Sequence, residues 1–415
     1  MKHFWRKMMP LKGVSSVFLY FFLFFGIILT IQTDILAQSS GTEIVIKPSP
    51  WYEAVHVKGY AQLRYNQVYS SNPDLNCEQC DASWSAGGLF FKRIRVSLYG
   101  NLGQHISYYI QPDFASSPAT DKQNFLQLKD AYIDIKLRKD ESLKIRAGLS
   151  KIPYGFENIQ SSSRRLAFDR ADGINSAVPN ERDLGVIVYY TTVSRQKIYK
   201  EVNTSQHKGS GDYGVFALGI YNGQTANVPD KNTSFHLVAR AAYPFKIQSQ
   251  VMELGIQAFR GKYVLMKTSS GAGKSLDSNY LDQRAGITAI LFPHPIGVQF
   301  EYNLGTGPEF NTVSDSIENQ KLQGGYLLIS YLIDTKKQSI TPFLRGQYYD
   351  GGKKQELDAR SYTVKELEFG IEWQLIKQLE LTASYVLSSR RYEDFIIQDN
   401  NQKGSLIRLQ AQVNF

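Results

Sequence analysis

Cysteine is nearly absent from the 415-residue chain: Cys77 and Cys80 are the two present, beside five methionines. With the first cysteine at Cys77, far from any cleavage site, a lipoprotein is excluded. The Cys77–Cys80 C-x-x-C pair has no βαβ unit around it, so in an exported chain a local disulfide is its expected state, and a redox or metal role for the pair is the lesser alternative. Six histidines (His3, His56, His105, His207, His236 and His294) are scattered with no pair at ligand spacing, and no metal or other cofactor is expected. Gly271–Lys274 lacks the context of a phosphate loop, and no serine sits in a nucleophile elbow, so no enzyme is expected. Charge is sparse as well. Charged residues make up 20% of the chain, and the net charge of +9 is too dispersed for a nucleic-acid partner. After the first thirty-odd residues no apolar run is long enough for a membrane helix.

The N-terminus is the exception. Lys2, Arg6, Lys7 and Lys12 precede an almost wholly apolar stretch, Val14 to Ile31, and Ile35-Leu36-Ala37 then leads into polar residues. A basic start, a greasy middle and a small residue before the break mark a secretory signal peptide over residues 1–37. An uncleaved anchor is the alternative, because the run approaches spanning length. A short periplasmic segment is expected over residues 38–56 and the body of the protein over 57–415. With 26 Tyr, 23 Phe and a mean hydropathy of −0.30, the chain as a whole is aromatic yet mildly polar.

Its rhythm is two. In Ser405–Phe415, Ile407, Leu409, Ala411, Val413 and Phe415 share one face, while Arg408, Gln410, Gln412 and Asn414 share the other. Val57–Asn66, Arg93–Tyr99, Leu143–Ser150, Ile296–Asn303, Leu367–Leu375 and Leu379–Leu387 alternate likewise, and weaker segments bring the count to about sixteen. Short turns at 100–104, 138–142, 292–295 and 376–378 alternate with longer connections. Short turns on one side and long loops on the other describe a transmembrane antiparallel β-barrel. Residues 191–212 break the pattern, being long on the short-turn side; strand extensions or a miscount would account for them. In hydrocarbon every backbone polar group must be paired, so a chain without spanning helices crosses only as a closed sheet. The architecture is therefore all-β, in the bacterial outer membrane and in contact with its lipid. The last strand, ending at Phe415, is the segment barrel-insertion machinery would recognise.

The stretch Ala147–Tyr190 carries Ala147-Gly148, Pro153-Tyr154-Gly155-Phe156-Glu157, Ser161-Ser162-Ser163, Phe168-Asp169-Arg170 and Arg182-Asp183-Leu184-Gly185-Val186 in order. This series resembles the phosphate-selective porin O and P family, with looser similarity along most of the mature chain. The resemblance implies a homotrimeric sixteen-stranded porin whose third extracellular loop folds into the lumen. That loop, 151–183, would bring Lys151, Glu157, Arg164, Arg165, Asp169, Arg170, Asp172, Glu181, Arg182 and Asp183 to the constriction. A solvated surface loop is the alternative.

By strand parity Lys58, Arg64, Arg93, Arg95, Lys144, Arg146, Arg240, Arg284, Arg345 and Arg408 face the lumen. Asp113, Asp130, Asp134, Glu253, Glu301, Glu368 and Glu372 oppose them. Arg93 and Arg95 beside Arg64 form a candidate ladder for small anionic solutes, because guanidinium forks match phosphate and carboxylate and successive sites pass an anion onward. The opposing view is that these arginines pair with wall carboxylates and stiffen the barrel. The function expected is passive, anion-preferring diffusion, with phosphate as a candidate solute. A non-conducting structural or adhesin barrel, or a barrel-embedded hydrolase, stands as the alternative. Trp51, Tyr52, Tyr108, Tyr189, Tyr190, Tyr331, Trp373 and Tyr385 at strand ends suit interfacial girdles.

Overall fold

Alternating side chains with few breaks favour long, paired strands, and the computed structural model consists mostly of them. It describes residues 55–70, 88–116, 124–205, 207–335 and 337–415. The expected signal peptide, Trp51, Tyr52, Cys77 and Cys80 lie outside these residues. The strands are β1 (His56–Ser70), β2 (Gly88–Leu102), β3 (Ile106–Ser116), β4 (Phe125–Lys136), β5 (Leu143–Lys151) and β6 (Arg182–Tyr190). Then come β7 (Phe216–Tyr221), β8 (His236–Ile247), β9 (Gln250–Val264), β10 (Asn279–Leu291) and β11 (Ile296–Asn311). β12 (Ser316–Tyr331) is prolonged past Leu332 by Ile333–Asp334. β13 (Ser339–Gly352), β14 (Ser361–Ile376), β15 (Leu379–Glu393) and β16 (Asn400–Asn414) complete the sheet.

Each strand pairs antiparallel with its sequence neighbours, and β1 pairs with β16, so the sixteen-strand sheet closes on itself. Tyr65 faces Leu409 and Leu63 faces Ala411 across this seam. The Gly59 N–H donates to the Phe415 carbonyl at 2.7 Å and the Phe415 N–H to Gly59 at 2.9 Å. Gly59 is required there: a Cβ would lie 2.5 Å from the Phe415 ring and 2.6 Å from the Arg95 carbonyl oxygen.

The two faces of the ring reverse the usual order. Leu409 and Val413 are each 46% exposed on the outside, whereas Arg408 and Gln412, one residue along, are 2% and 1% exposed. Val57, Leu254, Ile256 and Leu304 are exposed in the same way. A continuous apolar outer belt with no free strand edge is stable in lipid and costly in water. Trp373, Tyr331 and Tyr385 sit on that exposed face, as girdle residues should. Tyr189 does not; it is buried, opposite the inward-facing Lys144.

Several connections are shorter than their sequence suggested. β11 and β12 run on to Asn311 and from Ser316, β13 and β14 reach Gly352 and start at Ser361, and β15 and β16 reach Glu393 and start at Asn400. Here the hairpins continue pairing beyond the apolar belt. There Phe310 and Ile317 are buried with Tyr263 and Ala272, and Tyr349 and Tyr362 with Tyr392, so the exposed apolar face that betrays a strand disappears while its hydrogen bonds persist. The anomalous 191–212 connection holds a helix, not strand extensions, and the strand count is unaffected. Three helices lie between strands: α1 (Phe156–Ile159), α2 (Asp172–Asn175) and α3 (Val193–Thr204).

Candidate functional site: a long loop clamped inside the ring

The chain leaving β5 turns at Pro153 and at Gly155, whose φ of 78° suits glycine. It then bonds to strands all round the sheet. Glu301 of β11 accepts the Phe156 and Glu157 N–H groups at 2.6 and 2.7 Å. The Asp172 N–H donates to Gln347 of β13 at 2.7 Å, and Arg284 of β10 donates to the Gly173 carbonyl at 3.2 Å and Ser176 Oγ at 2.9 Å. On the opposite arc, Gln62 of β1 donates to the Ser162 carbonyl at 3.1 Å and Gln412 of β16 to that of Ser163. A segment bonded at once to β1, β10, β11, β13 and β16 lies within the ring.

Apolar contacts reinforce the clamp. Leu166, Ala167, Ala171 and Ile174 pack on Tyr326, Leu328 and Phe343 of the wall. Ile152, Tyr154, Ala177 and Val178 pack on Ile187, Ala217, Val238 and Phe259. At about 1.5–3 kcal/mol for each large apolar side chain buried, these two patches offset part of the entropy lost in ordering the loop.

The polar contacts are unequal in charge. Asp169 pairs with Arg64 of β1 at 2.8 Å, with Arg93 of β2 at 3.6 Å, and closely with Arg408 of β16. Glu181 pairs with Lys151 at 3.3 Å, Arg165 at 3.0 Å, Arg170 at 3.2 Å and Arg182 at 2.7 Å. Burial by itself would push both carboxyls up, but the surrounding cations override it and hold each well below the usual carboxylate range. Asp172 is likewise held low by Arg390 and Lys353, at 2.9 and 2.5 Å. Glu157 goes the other way, because burial outweighs its contact with Arg345 at 3.2 Å.

Of the other expected constriction residues, Arg164 donates to the Asn203 amide oxygen at 2.8 Å, and Arg182 also pairs with Asp130 of β4 at 2.9 Å. Asp183 serves the fold: its Oδ2 accepts the Gly223 and Thr225 N–H groups at 2.7 and 3.0 Å. The wall cations are divided. Arg95 meets Asp113 at 2.7 Å, Arg146 meets Asp134 at 2.7 Å and Arg240 meets Glu253 at 2.7 Å. Arg64 lies fully covered beneath the loop, whereas Lys58 stacks over the Tyr99 ring at 4.7 Å. Next to the loop is a cavity of about 730 Å³ lined by Lys58, Arg95, Arg146, Lys151, Arg164, Arg182, Lys208 and Lys377, against Asp130, Asp212 and Glu380.

Sequence reasoning missed three contributors. Lys353 and Lys354, in the β13–β14 connection, reach down to Asp172 and to the Ala177 carbonyl (3.0 Å); their only signal is the Gly351-Gly352-Lys353-Lys354 run. Lys208, in the segment after α3, carried no signal at all.

The model of the phosphate-selective porin O and P family matches residues 81–415. The chain belongs to that family. Among solved structures, this porin resembles the outer-membrane channel DcaP of Acinetobacter baumannii, with 14% identity over 87% of this chain and 97% of that one and a TM-score of 0.55. It also resembles the anion-selective porin from Comamonas acidovorans, at 11% identity over 87% and 99% with a TM-score of 0.52. For the OmpF of Salmonella typhi, solved with daunomycin, the figures are 11%, 87%, 97% and 0.51. At these identities the likeness is one of fold. No curated protein matches the chain. The porin is a channel of the bacterial outer membrane.

Proposed function

We propose that this porin gives passive, anion-preferring diffusion of small solutes, with inorganic phosphate among them, past a constriction formed by residues 151–183. The observation that carries this reading is the cation surplus around Asp169 and Glu181 and in the cavity beside them, where eight lysines and arginines face Asp130, Asp212 and Glu380. The carboxylates Asp169 and Glu181 are met by seven cations: Arg64, Arg93, Arg408, Lys151, Arg165, Arg170 and Arg182. In a narrow, low-dielectric passage such a surplus raises the local anion concentration and lowers that of cations. Guanidinium groups of Arg95, Arg146, Arg164 and Arg182 line the adjoining cavity and offer successive forked donors, so an oxyanion exchanges partners without being trapped. The family's description favours phosphate, and the Comamonas relative is described as anion-selective. Export through cleavage of residues 1–37, insertion guided by the strand ending at Phe415, and assembly as a homotrimer belong to the same proposal.

The test is the zero-current potential of the purified porin in planar bilayers under a potassium chloride gradient, followed by phosphate titration. Anion preference is expected, with chloride current reduced as phosphate competes. A loop tied to so many strands also suits a non-conducting structural barrel. Absence of any conductance would select that second reading, and cation preference would refute the first.

A further inference from the structure

Beneath the inward loop the lumen is crossed a second time, from the periplasmic side. Val202 of α3 packs with Phe156, Val251 and Phe292, so the helix sits under the loop and not out in solution. The chain then turns inward. Gln160 Nε2 donates to the Lys208 carbonyl at 2.6 Å, and the Gly209 N–H to that of Val202 at 3.3 Å. Lys208 itself is buried with φ of 60°. Its ammonium meets Glu372 of β14 closely and Glu380 of β15 at 3.6 Å. The segment leaves and rejoins the sheet at β6 and β7, yet β14 lies eight strands from β6 in a ring of sixteen, on the opposite side. Lys208 therefore spans the barrel's periplasmic end. Lys208 and Glu380 both line the 730 Å³ cavity that continues from the loop's cationic cluster.

We propose that segment 207–213 is a second selectivity element at the exit and that Lys208 is its specificity-determining residue. Without its ammonium, Glu372 and Glu380 would be two adjacent carboxylates at the end of an otherwise cationic passage, which is a cation site. Lys208 supplies their counter-charge, so the cationic cluster next to it sets the sign of the passage. The inference rests on the anion-preferring reading for its meaning, but its test does not depend on that sign.

The experiment compares zero-current potentials of the full-length porin and its variants in bilayers. Lys208→Met should shift the anion-to-cation permeability ratio toward cations by on the order of fivefold relative to the parent, while Lys208→Arg should leave it in place. Adding Glu372→Gln and Glu380→Gln to Lys208→Met should restore the parental ratio. If Lys208→Met does not assemble, Glu372→Gln with Glu380→Gln on the parent gives the mirror result, a shift toward anions from the lone ammonium. A role as a mere strut predicts changed conductance with an unchanged ratio in every variant, and that outcome would overturn the proposal. A parent without anion preference would defeat the previous section's reading while these relative shifts still decide the role of Lys208.

Discussion

Arg64 on the first strand and Asp169 in the long loop meet at 2.8 Å, although 105 residues separate them. Arg408 on the last strand grips the same carboxylate. One acidic side chain therefore ties the loop to both strands of the seam at which the sheet closes. The arrangement follows from parity: Arg64 and Arg408 sit at inward positions of strands whose outward neighbours are Leu63, Leu409 and Ile407. The inserted carboxylate offsets the cost of placing two guanidinium groups in one covered pocket.

Replacing Asp169 with Asn should leave Arg64 and Arg408 buried without a counter-charge. Removing one member of such a cluster costs about 3–5 kcal/mol. Because the strands are held by their own ladders, the loss should fall on the loop. Single-channel conductance should rise and become noisier while the folded barrel still resists dissociation in detergent.

Glu301→Gln tests the opposite anchor. The carboxylate accepts two backbone N–H groups, from Phe156 and Glu157, whereas an amide presents one oxygen and two donors. Buried hydrogen bonds of this kind are each worth about 0.5–1.5 kcal/mol. Hydrogen exchange at the Phe156 and Glu157 amides should accelerate by on the order of tenfold. Unchanged protection would show that the apolar patches alone hold the turn.

Acidification should leave the constriction in place. The folded-state values of Asp169, Asp172 and Glu181 lie below the ordinary range of about 4. A carboxyl depressed on folding contributes stability that is fully present above its unfolded value and is lost as pH falls through its folded one. Their contribution therefore persists well below pH 4. Glu157, raised by burial, has the reverse sign, so its protonation relieves a cost and loosens nothing. Conductance measured at about pH 5.5 and at about pH 4.5, both below the value of about 7 to which burial pushes Lys151, should agree; a step between them would contradict this account of the clamp.

On the lipid side, Ile256→Arg should be far more costly than exchanges within the lumen. Ile256 is 63% exposed near the middle of β9. An arginine facing lipid at mid-depth costs about 2–4 kcal/mol in barrels of this type. Urea unfolding in vesicles would report the difference. A negligible effect would mean that this arc of the ring is not in contact with hydrocarbon.

How far these features could be read beforehand depended on whether a face met lipid. Ile407, Leu409 and Val413 against Arg408 and Gln412 were legible because hydrocarbon and water impose opposite demands on adjacent residues. The hairpin around Asn311 and Ser316 escaped notice because its Phe310 and Ile317 are covered by distant segments, among them Tyr263 and Ala272, and not by lipid. Helix α3 was obscured for another reason. Val193–Thr204 buries only Tyr199 and Val202, too few for a helical stripe, and its partner surface is supplied by Phe156 and Phe292 from distant segments. Lys151, Arg165 and Asp169 could be nominated from loop composition and family resemblance. That Arg95 and Arg146 would be held by Asp113 and Asp134, while four cations gather on Glu181, depended on strand register and could be read only in three dimensions.

The central claim is that the cation surplus around Glu181 and in the cavity beside the loop makes the passage prefer anions. Its most direct test is the zero-current potential of Lys151→Gln combined with Arg165→Gln, set beside Arg240→Gln on the far wall. Glu181 keeps Arg170 and Arg182 in the first variant, so the loop stays anchored. The account predicts that anion preference drops in the loop variant and hardly changes with Arg240→Gln. An unaltered potential in the loop variant, or an equal drop in both, would contradict it.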